Sequence, residues 1–367
     1  MSDAGRENSM SATSVHTVET FDPLAGEWSE LADHVRARPF LYPGWYRAWR
    51  TAFGDGALRV LAARRGGSLV GVLPMEVRRG AWEAPTNVHT PGFDIVALDE
   101  EATRALATAL FDTRPRHLAI RPVDADSWTL HALADAAASH GYRTLIQPTG
   151  RAPYLRLAPD LRRHESEMSR NLRHDVQRRL RRLCESGGVS VEVSNGRVRL
   201  EDVLREGLDV EAQSWKGQRR TAIAARDDTT RFYRELARWA VEEGWLRLAF
   251  LRLDGQAIAF QFDLEPGSHY YSLKIGYDPA FERFSPGKLL AYTMVARAVA
   301  CGFQTYELLG REEPWKERWT DLSRAQVSFR AFSPSATGRL AATTFVHGKQ
   351  IAHRIPIAGR LSAAFRR

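Results

Sequence analysis

The sequence predicts an α/β (α+β) protein of two related lobes, each a mixed, mostly antiparallel sheet flanked by helices. Two observations carry this. Residues 245–310 run as turn-linked strands, then a helix and a last strand, and the first part of that order has a gapless echo in residues 58–71. Residues 246–253 form a strand, Asp254-Gly255 supplies the positive-φ pair of a tight hairpin, and residues 256–264 return antiparallel. Glu265-Pro266-Gly267-Ser268 turns the chain again. Residues 269–277 give a third strand, in which Ser and Lys stand among Tyr and Ile, as expected where one face meets a ligand instead of core.

At Phe284-Ser285-Pro286-Gly287-Lys288-Leu289, Ser285 fits an N-cap and Pro286 the first helical position. The amides of Gly287, Lys288 and Leu289 then lack helical partners and make an anion site, reinforced by the helix dipole and the Lys288 ammonium. Leu290, Met294, Ala298 and Cys301 mark the inward face of the helix, Gly302 ends it, and residues 305–309 resume as a strand.

Residues 58–71 lie without gaps over residues 246–259, an offset of 188. After each hairpin a helix (102–111; 288–300) leads to a short strand (117–121; 305–309). The lobes are not equivalent. Asp99, Glu100 and Glu101 precede the first-lobe helix and would repel a diphosphate, so only the second lobe should hold a nucleotide. The first lobe would wall the acceptor cleft through a loop carrying Asn87, His89, Pro91 and Asp94, the plainer reading being a loop held by its own hydrogen bonds. The expected organisation is a disordered N-terminus (1–20), a first lobe on the acceptor side (21–160), a basic linking helix (161–187), a second lobe holding the nucleotide cofactor (188–335) and a basic C-terminal appendage (336–367).

The arrangement resembles the GNAT acyltransferases, and more narrowly their CelD type, related to the Fem peptidyl transferases. The resemblance rests on residues 40–49 (FLYPGWYRAW), 58–74, 211–217 (EAQSWKG), 253–260 (LDGQAIAF), 270–278 (YYSLKIGYD), 285–290 (SPGKLL) and 306–319. It implies two GNAT-like lobes and acetyl-CoA or another acyl-CoA as co-substrate, with no metal. The pantetheine arm would lie along the strand carrying Tyr271 and Lys274, and the diphosphate on Ser285, Gly287, Lys288 and Leu289. One departure stands out: the glycine-rich loop of typical GNAT enzymes is reduced here to a single Pro-Gly.

At 367 residues and 44% hydrophobic, the chain can bury two lobes or one joined core. Cys184 and Cys301 give no disulfide or metal framework, and no apolar run is long enough to span a membrane, so a cytoplasmic chain is expected. Residues 322–367 hold eight Lys or Arg and no acid, which accounts for the whole net charge of +8. That tail could pack on the body, touch an acidic or membrane surface, or be partly disordered. Residues 162–182 carry eight arginines around an apolar stripe of Leu172, Val176, Leu180 and Leu183. This helix could brace the lobes, clamp an anionic acceptor through Arg170, Arg173 and Arg178, or contact RNA. The lack of interleaved aromatics argues against RNA.

Acyl transfer needs a base for the nucleophile, donors for the oxyanion and a proton for the departing thiolate. Glu211, at the end of a helix over 201–214 and just ahead of Trp215-Lys216, is the first candidate for base or acceptor anchor. Asp278, Glu307 and Glu312 are the other acids near the cleft, Tyr277 and Tyr271 the candidate proton donors; each acid could equally make a structural hydrogen bond. The resemblance places an aromatic-Lys element after the last strand, which Lys316 matches, and there it could hold substrate anions or the transition state. His89, Asp94, Arg173, Trp215, Lys216 and Glu312 make up the expected acceptor side. No nucleophile constellation of Ser, Cys or His is present, in keeping with direct transfer. The function expected is an acyl-CoA-dependent N-acyltransferase acting on an amine of a small molecule or sugar, in surface-polysaccharide or specialised metabolism. The alternatives are a Fem-like transferase using aminoacyl-tRNA and a non-catalytic polysaccharide-biosynthesis scaffold.

Overall fold

Two hairpins in the same register organise the chain. Strands β2 (Ala57–Arg65) and β3 (Ser68–Arg78) close on the pair Arg65↔Ser68, and β9 (Leu246–Leu253) and β10 (Gln256–Leu264) close on Leu253↔Gln256. Each closing residue is displaced by the offset of 188 read from the sequence. The computed structural model describes residues 12–213, 223, 226–340 and 342–343.

The remaining strands are β1 (Ser14–Val18), β4 (Ala81–Glu83), β5 (Val96–Ala97), β6 (His117–Asp124), β7 (Arg143–Arg156), β8 (Val189–Ser194), β11 (His269–Tyr277), β12 (Thr305–Glu307) and β13 (Ser323–Phe332). All join one mixed sheet in the order β1-β2-β3-β4-β6-β13-β7-β12-β11-β10-β9-β8, with β5 paired to β3. Read outward from the β13/β7 pair, both directions repeat one pattern: an antiparallel pairing, one parallel pairing (β4 with β6; β12 with β11), then antiparallel pairings to the edge. The half-sheets thus exchange their last strands. β13, from the end of the chain, completes the first half by pairing with β6, while β7 completes the second by pairing with β12.

Helices α1 (Ala25–His34), α2 (Pro43–Phe53), α3 (Glu100–Asp112), α4 (Trp128–Ser139), α5 (Leu161–Glu167), α6 (Arg170–Cys184), α7 (Leu200–Gln213), α8 (Asp227–Glu242) and α9 (Pro286–Ala300) flank this sheet. The buried residues Phe232, Tyr233, Leu236, Ala237 and Ala240 recur at helical spacing along α8 and face α2, where Trp45 and Phe53 each bring a ring within 5.4 Å of Phe232. One apolar core therefore runs from the first half into the second, and a smaller one lies under α9 and α6.

Four expectations change. Residues 14–18 are not disordered but form β1, paired with β2 from Ser14↔Arg64 to Val18↔Val60. The basic linking helix is two helices, because Met168 turns extended and Ser169 caps α6 anew by accepting from the Leu172 amide. Leu180 of its stripe is exposed while Leu172, Val176 and Leu183 are buried. The last strand of the second half stops at Glu307 because Leu309 and Gly310 take positive φ. Residues 336–340 and 342–343 are helical, and the rest of the basic appendage lies outside the described residues.

Gly276 of β11 is where α7 comes closest to the sheet. A Cβ there would sit 2.7 Å from the Glu211 Cα, a backbone atom that cannot swing away. Gly276→Ala should lower stability by about 1–3 kcal/mol through overpacking, read as a shift in urea midpoint at unchanged slope.

Candidate active site

β11 and β12 run side by side for only three residues, from His269↔Thr305 to Tyr271↔Glu307. Beyond them β12 ends, and among the described residues β11 continues to Tyr277 with β10 as its only strand partner. Residues 272–275 are half-buried along that released edge. A bulge opposite Phe262 and Asp263 sits at the point of parting and turns the strand locally, a placement common next to active sites.

At the far end of β11 the chain makes a 3-10 turn (Pro279–Phe284) and enters α9. Gly287 stands against the strand: a Cβ would lie 3.3 Å from Tyr277 Cδ1 and 3.6 Å from Ile275 Cδ1. The helix start differs from expectation. Ser285 occupies the N-cap position in a left-handed conformation (φ 50°), and its side chain makes no cap bond. Its carbonyl accepts from the amides of Lys288 (3.0 Å) and Leu289 (3.2 Å), leaving the Gly287 amide without a backbone acceptor. The Lys288 ammonium is engaged too, donating to Asp175 Oδ2 at 2.6 Å.

Asp175 also accepts from Arg178 (2.7 Å) and Arg179 (3.0 Å), and Arg179 reaches on to the Arg283 carbonyl. Desolvation raises the Asp175 carboxyl pKa, but the bonds from Lys288, Arg178 and Arg179 outweigh it and hold the group below the usual range. One carboxylate thus faces three cations at the start of α9. The basic α6 therefore lies on the turn side of β11. Arg173, expected to grip an acceptor, instead donates to the Glu165 carbonyl at 3.0 Å.

The opposite face of β11 meets the shared core. Tyr271 sets its ring edge-on to Phe40 at 6.3 Å, and burial pushes its phenol pKa up. Lys274 lies 5.5 Å from the Tyr233 ring centroid, and Tyr233 packs edge-on against His89 at 5.7 Å. Burial first, then the Lys274 charge, push the His89 imidazole down to about 3, so it is neutral across the physiological range. Glu211 is fully buried behind Gly276 and accepts from the Ile223 amide at 2.8 Å, so one carboxylate oxygen holds backbone. Trp215 and Lys216 lie outside the described residues.

The other expected residues spread out. Tyr277 is half-buried beside Gly287, with a phenol pushed up by burial, and the Asp278 side chain caps the 3-10 turn through the Ala280 amide. Lys316 is buried and donates to the carbonyls of Leu309 (2.6 Å) and Arg311 (3.0 Å), bonds that fasten the chain after β12. Glu312 pairs with Arg151 (3.1 Å) on the exposed rim. Asp94 accepts from the Ser127 hydroxyl, and burial pushes its carboxyl pKa up.

Two groupings escaped sequence reading. A polar ladder crosses the seam between the half-sheets: Glu307 takes two bonds from Arg324 of β13 (2.5 and 3.0 Å), whose guanidinium lies over the Tyr154 ring, and Asp124 pairs with Arg38 (2.9 Å) and Gln326. The other joins Gln261 and Asp263 of β10, Tyr270 and Ser272 of β11, and Tyr306 of β12. Its one sequence signal is the Gln-x-Asp spacing inside an apolar strand, which puts both polar residues on one face.

The equivalent place in the first half is closed. Beyond the β4/β6 pairing, the chain fills the gap with its own bonds, from the Thr86 hydroxyl to the Arg121 carbonyl (2.5 Å) and from the Phe93 amide to the Pro122 carbonyl (2.7 Å). Asp99 caps α3 by accepting from the Ala102 amide and is itself paired with Arg65. Among the described residues, no cluster of three or more His, Cys, Asp or Glu could hold a metal ion, and no helix is long and apolar enough to cross a membrane.

A family model described as an acetyltransferase (GNAT) domain matches residues 170–317, the stretch from α6 past Lys316. No curated protein matches the chain. Among solved structures, FemX is 13% identical and aligns over 86% of this chain and 96% of its own with a TM-score of 0.59. A C-terminal DUF2156 domain from Agrobacterium fabrum is 14% identical over 89% and 97%, with a TM-score of 0.57. L-PGS from Bacillus licheniformis is 11% identical over 85% and 97%, with a TM-score of 0.51. The shared fold spans most of the chain, and the GNAT match falls on the half where the strands part.

The Glu307–Arg324 pair should couple the half-sheets energetically. Glu307→Gln is expected to cost up to about 3 kcal/mol by leaving the half-buried Arg324 guanidinium without its buried carboxylate. A double-mutant cycle with Arg324→Gln should return a coupling energy well above that of an exposed pair.

Proposed function

We propose that the chain is a cytoplasmic acyl-CoA-dependent N-acyltransferase of the CelD type, transferring an acetyl or other short acyl group to an amine of a small molecule or sugar. The observation that carries this reading is the parting of β11 from β12 with the N-terminus of α9 at the far end of the released edge. From Ser272 to Tyr277 that edge spans ~17 Å at the usual strand rise, a length suited to an extended pantetheine. Gly287 supplies a free amide where a Cβ would crowd Tyr277 and Ile275, and Lys288, Arg178 and Arg179 surround the turn with more positive charge than Asp175 neutralises. These residues fit a diphosphate, which would share or displace Asp175.

The co-substrate would bring a thioester whose carbonyl is open to attack. This chain's part is to align it, polarise the carbonyl with β11 amides at the bulge, and keep the amine neutral. The Lys274 charge and the neutral His89 favour an uncharged amine on the core-side face, because a second cation beside Lys274 is costly.

Gly287→Asp puts a carboxylate where the diphosphate should rest. Calorimetry with CoA should show at least a tenfold loss of affinity against the unmodified chain, and equal affinity would reject the placement. A second reading, transfer from aminoacyl-tRNA, is favoured by one observation: α5 and α6 expose Arg162, Arg163, Arg170, Arg178, Arg181 and Arg182, and α6 reaches the same turn through Arg179 and Asp175. Salt-sensitive tRNA binding without any response to CoA would select it.

A further inference from the structure

Face to face with α9, five side chains from three strands form one buried network. The Tyr270 hydroxyl donates to Asp263 Oδ2 at 2.6 Å. Gln261 Nε2 donates to the Ser272 hydroxyl (2.7 Å) and the Tyr306 hydroxyl (2.9 Å), and more weakly to Asp263 Oδ1 (3.4 Å). The Ser272 hydroxyl thus stands beside both the Asp263 carboxyl and the Tyr306 phenol, with the Gln261 amide bridging the three. Gln261, Asp263, Tyr270 and Tyr306 are fully buried, whereas Ser272 is half-buried and is the first residue of β11 past its last pairing with β12. The network therefore reaches the released edge at one atom, the Ser272 hydroxyl oxygen, at the end of the edge opposite the α9 turn.

We propose that Ser272 is a catalytic residue that hands a proton to the departing thiol sulfur, that Asp263 replaces this proton, and that Tyr270, Gln261 and Tyr306 are positioning residues. The inference rests on the acyl-CoA reading, which puts the sulfur at that end when the diphosphate lies at Gly287. The amine nitrogen bonds to the acyl carbon and the carbon–sulfur bond breaks with its electron pair on sulfur. Sulfur takes the Ser272 proton and Ser272 takes the Asp263 proton. The proton lost by the amine returns to Asp263 through solvent, so the relay ends as it began.

Asp263 suits the task because burial pushes its carboxyl up to about 8, against the bonds from Tyr270 and Ser272. It carries its proton at neutral pH and matches a leaving thiol in acidity. The charged groups around it are Glu265, which pairs with Arg247 of β9 (2.7 Å) and with Arg297 of α9, so that the acid's negative charge is offset on both sides.

The test has three arms, on the full chain, Ser272→Ala, Ser272→Thr and Asp263→Asn. Calorimetry with CoA should show affinities within about twofold of one another; failure of the unmodified chain to bind would overturn the acyl-CoA reading and this inference with it. Infrared spectra of the CoA-free protein should show a protonated-carboxyl band that is present at pH 6, lost by pH 10 and missing in Asp263→Asn. Thiol release from acetyl-CoA, with water as acceptor where no amine turns over, should fall as pH rises through about 8 in the unmodified chain. Ser272→Ala and Asp263→Asn should lose roughly 10²-fold or more together with that alkaline limb, the double variant should be no worse than either, and Ser272→Thr should recover rate. Unchanged rates and pH profiles in Ser272→Ala and Asp263→Asn despite normal CoA binding, or no carboxyl band, would overturn the relay.

Discussion

The antiparallel pairing of β7 with β13 fixes everything else in this molecule. Each of these strands ends one half of the chain and is laid into the other, so neither half-sheet is complete alone. The exchange also decides where the candidate site opens. β12 is held from the far side by β7, through Glu307↔Tyr154 and the bond from the Leu308 amide to the Pro153 carbonyl, and Lys316 then pins the chain at Leu309. Committed to that side, β12 cannot follow β11 past Tyr271. The gap is thus a consequence of the central pairing, and loosening β7 or β13 would let it close.

The same topology serves two ends within one chain. Both halves have a parallel pair of three residues, a parting and a helix N-terminus beyond it. In the first half the gap is filled by backbone and the helix start is satisfied by Asp99, a carboxylate fixed in sequence one residue before the helix. In the second half the helix start carries Pro286 and Gly287, which offer no acceptor of their own, and the nearest carboxylate, Asp175, comes from a separate helix. An anion already bound covalently next to the helix cannot leave, whereas one delivered by a side chain on α6 can rotate away. The asymmetry between the halves is electrostatic and steric, not topological.

Much of this was legible in the sequence because it is local. The hairpin turn Asp254-Gly255, the Pro-Gly entry to α9, the Asp99-Glu100-Glu101 start of α3 and the repeat at 188 residues all depend on neighbours within a turn or a strand. What could not be read depends on partners far apart in the chain. Lys288 looked available because its partner, Asp175, sits 113 residues earlier on a helix counted as a bridge between lobes. Lys316 resembled a substrate-binding cation, yet its ammonium is spent on two carbonyls that only the turn after β12 brings into reach. Arg324 and Glu307 face each other only because β13 and β12 both flank β7.

The buried network behind Ser272 bears on how the second half tolerates its open edge. Burial outweighs the hydrogen bonds to an ionised Asp263 and raises its carboxyl to about 8, so the group carries a proton at neutral pH that the network can give up as pH rises. Apolar side chains of similar volume would pack the same space without that liability. Rigidity alone does not account for the arrangement either, since Tyr270 and Tyr306 already stack at 4.7 Å across the β11/β12 pair and would brace it without an acid between them. What the acid adds, and stacked rings cannot, is a proton held next to the half-buried hydroxyl that stands where the two strands separate.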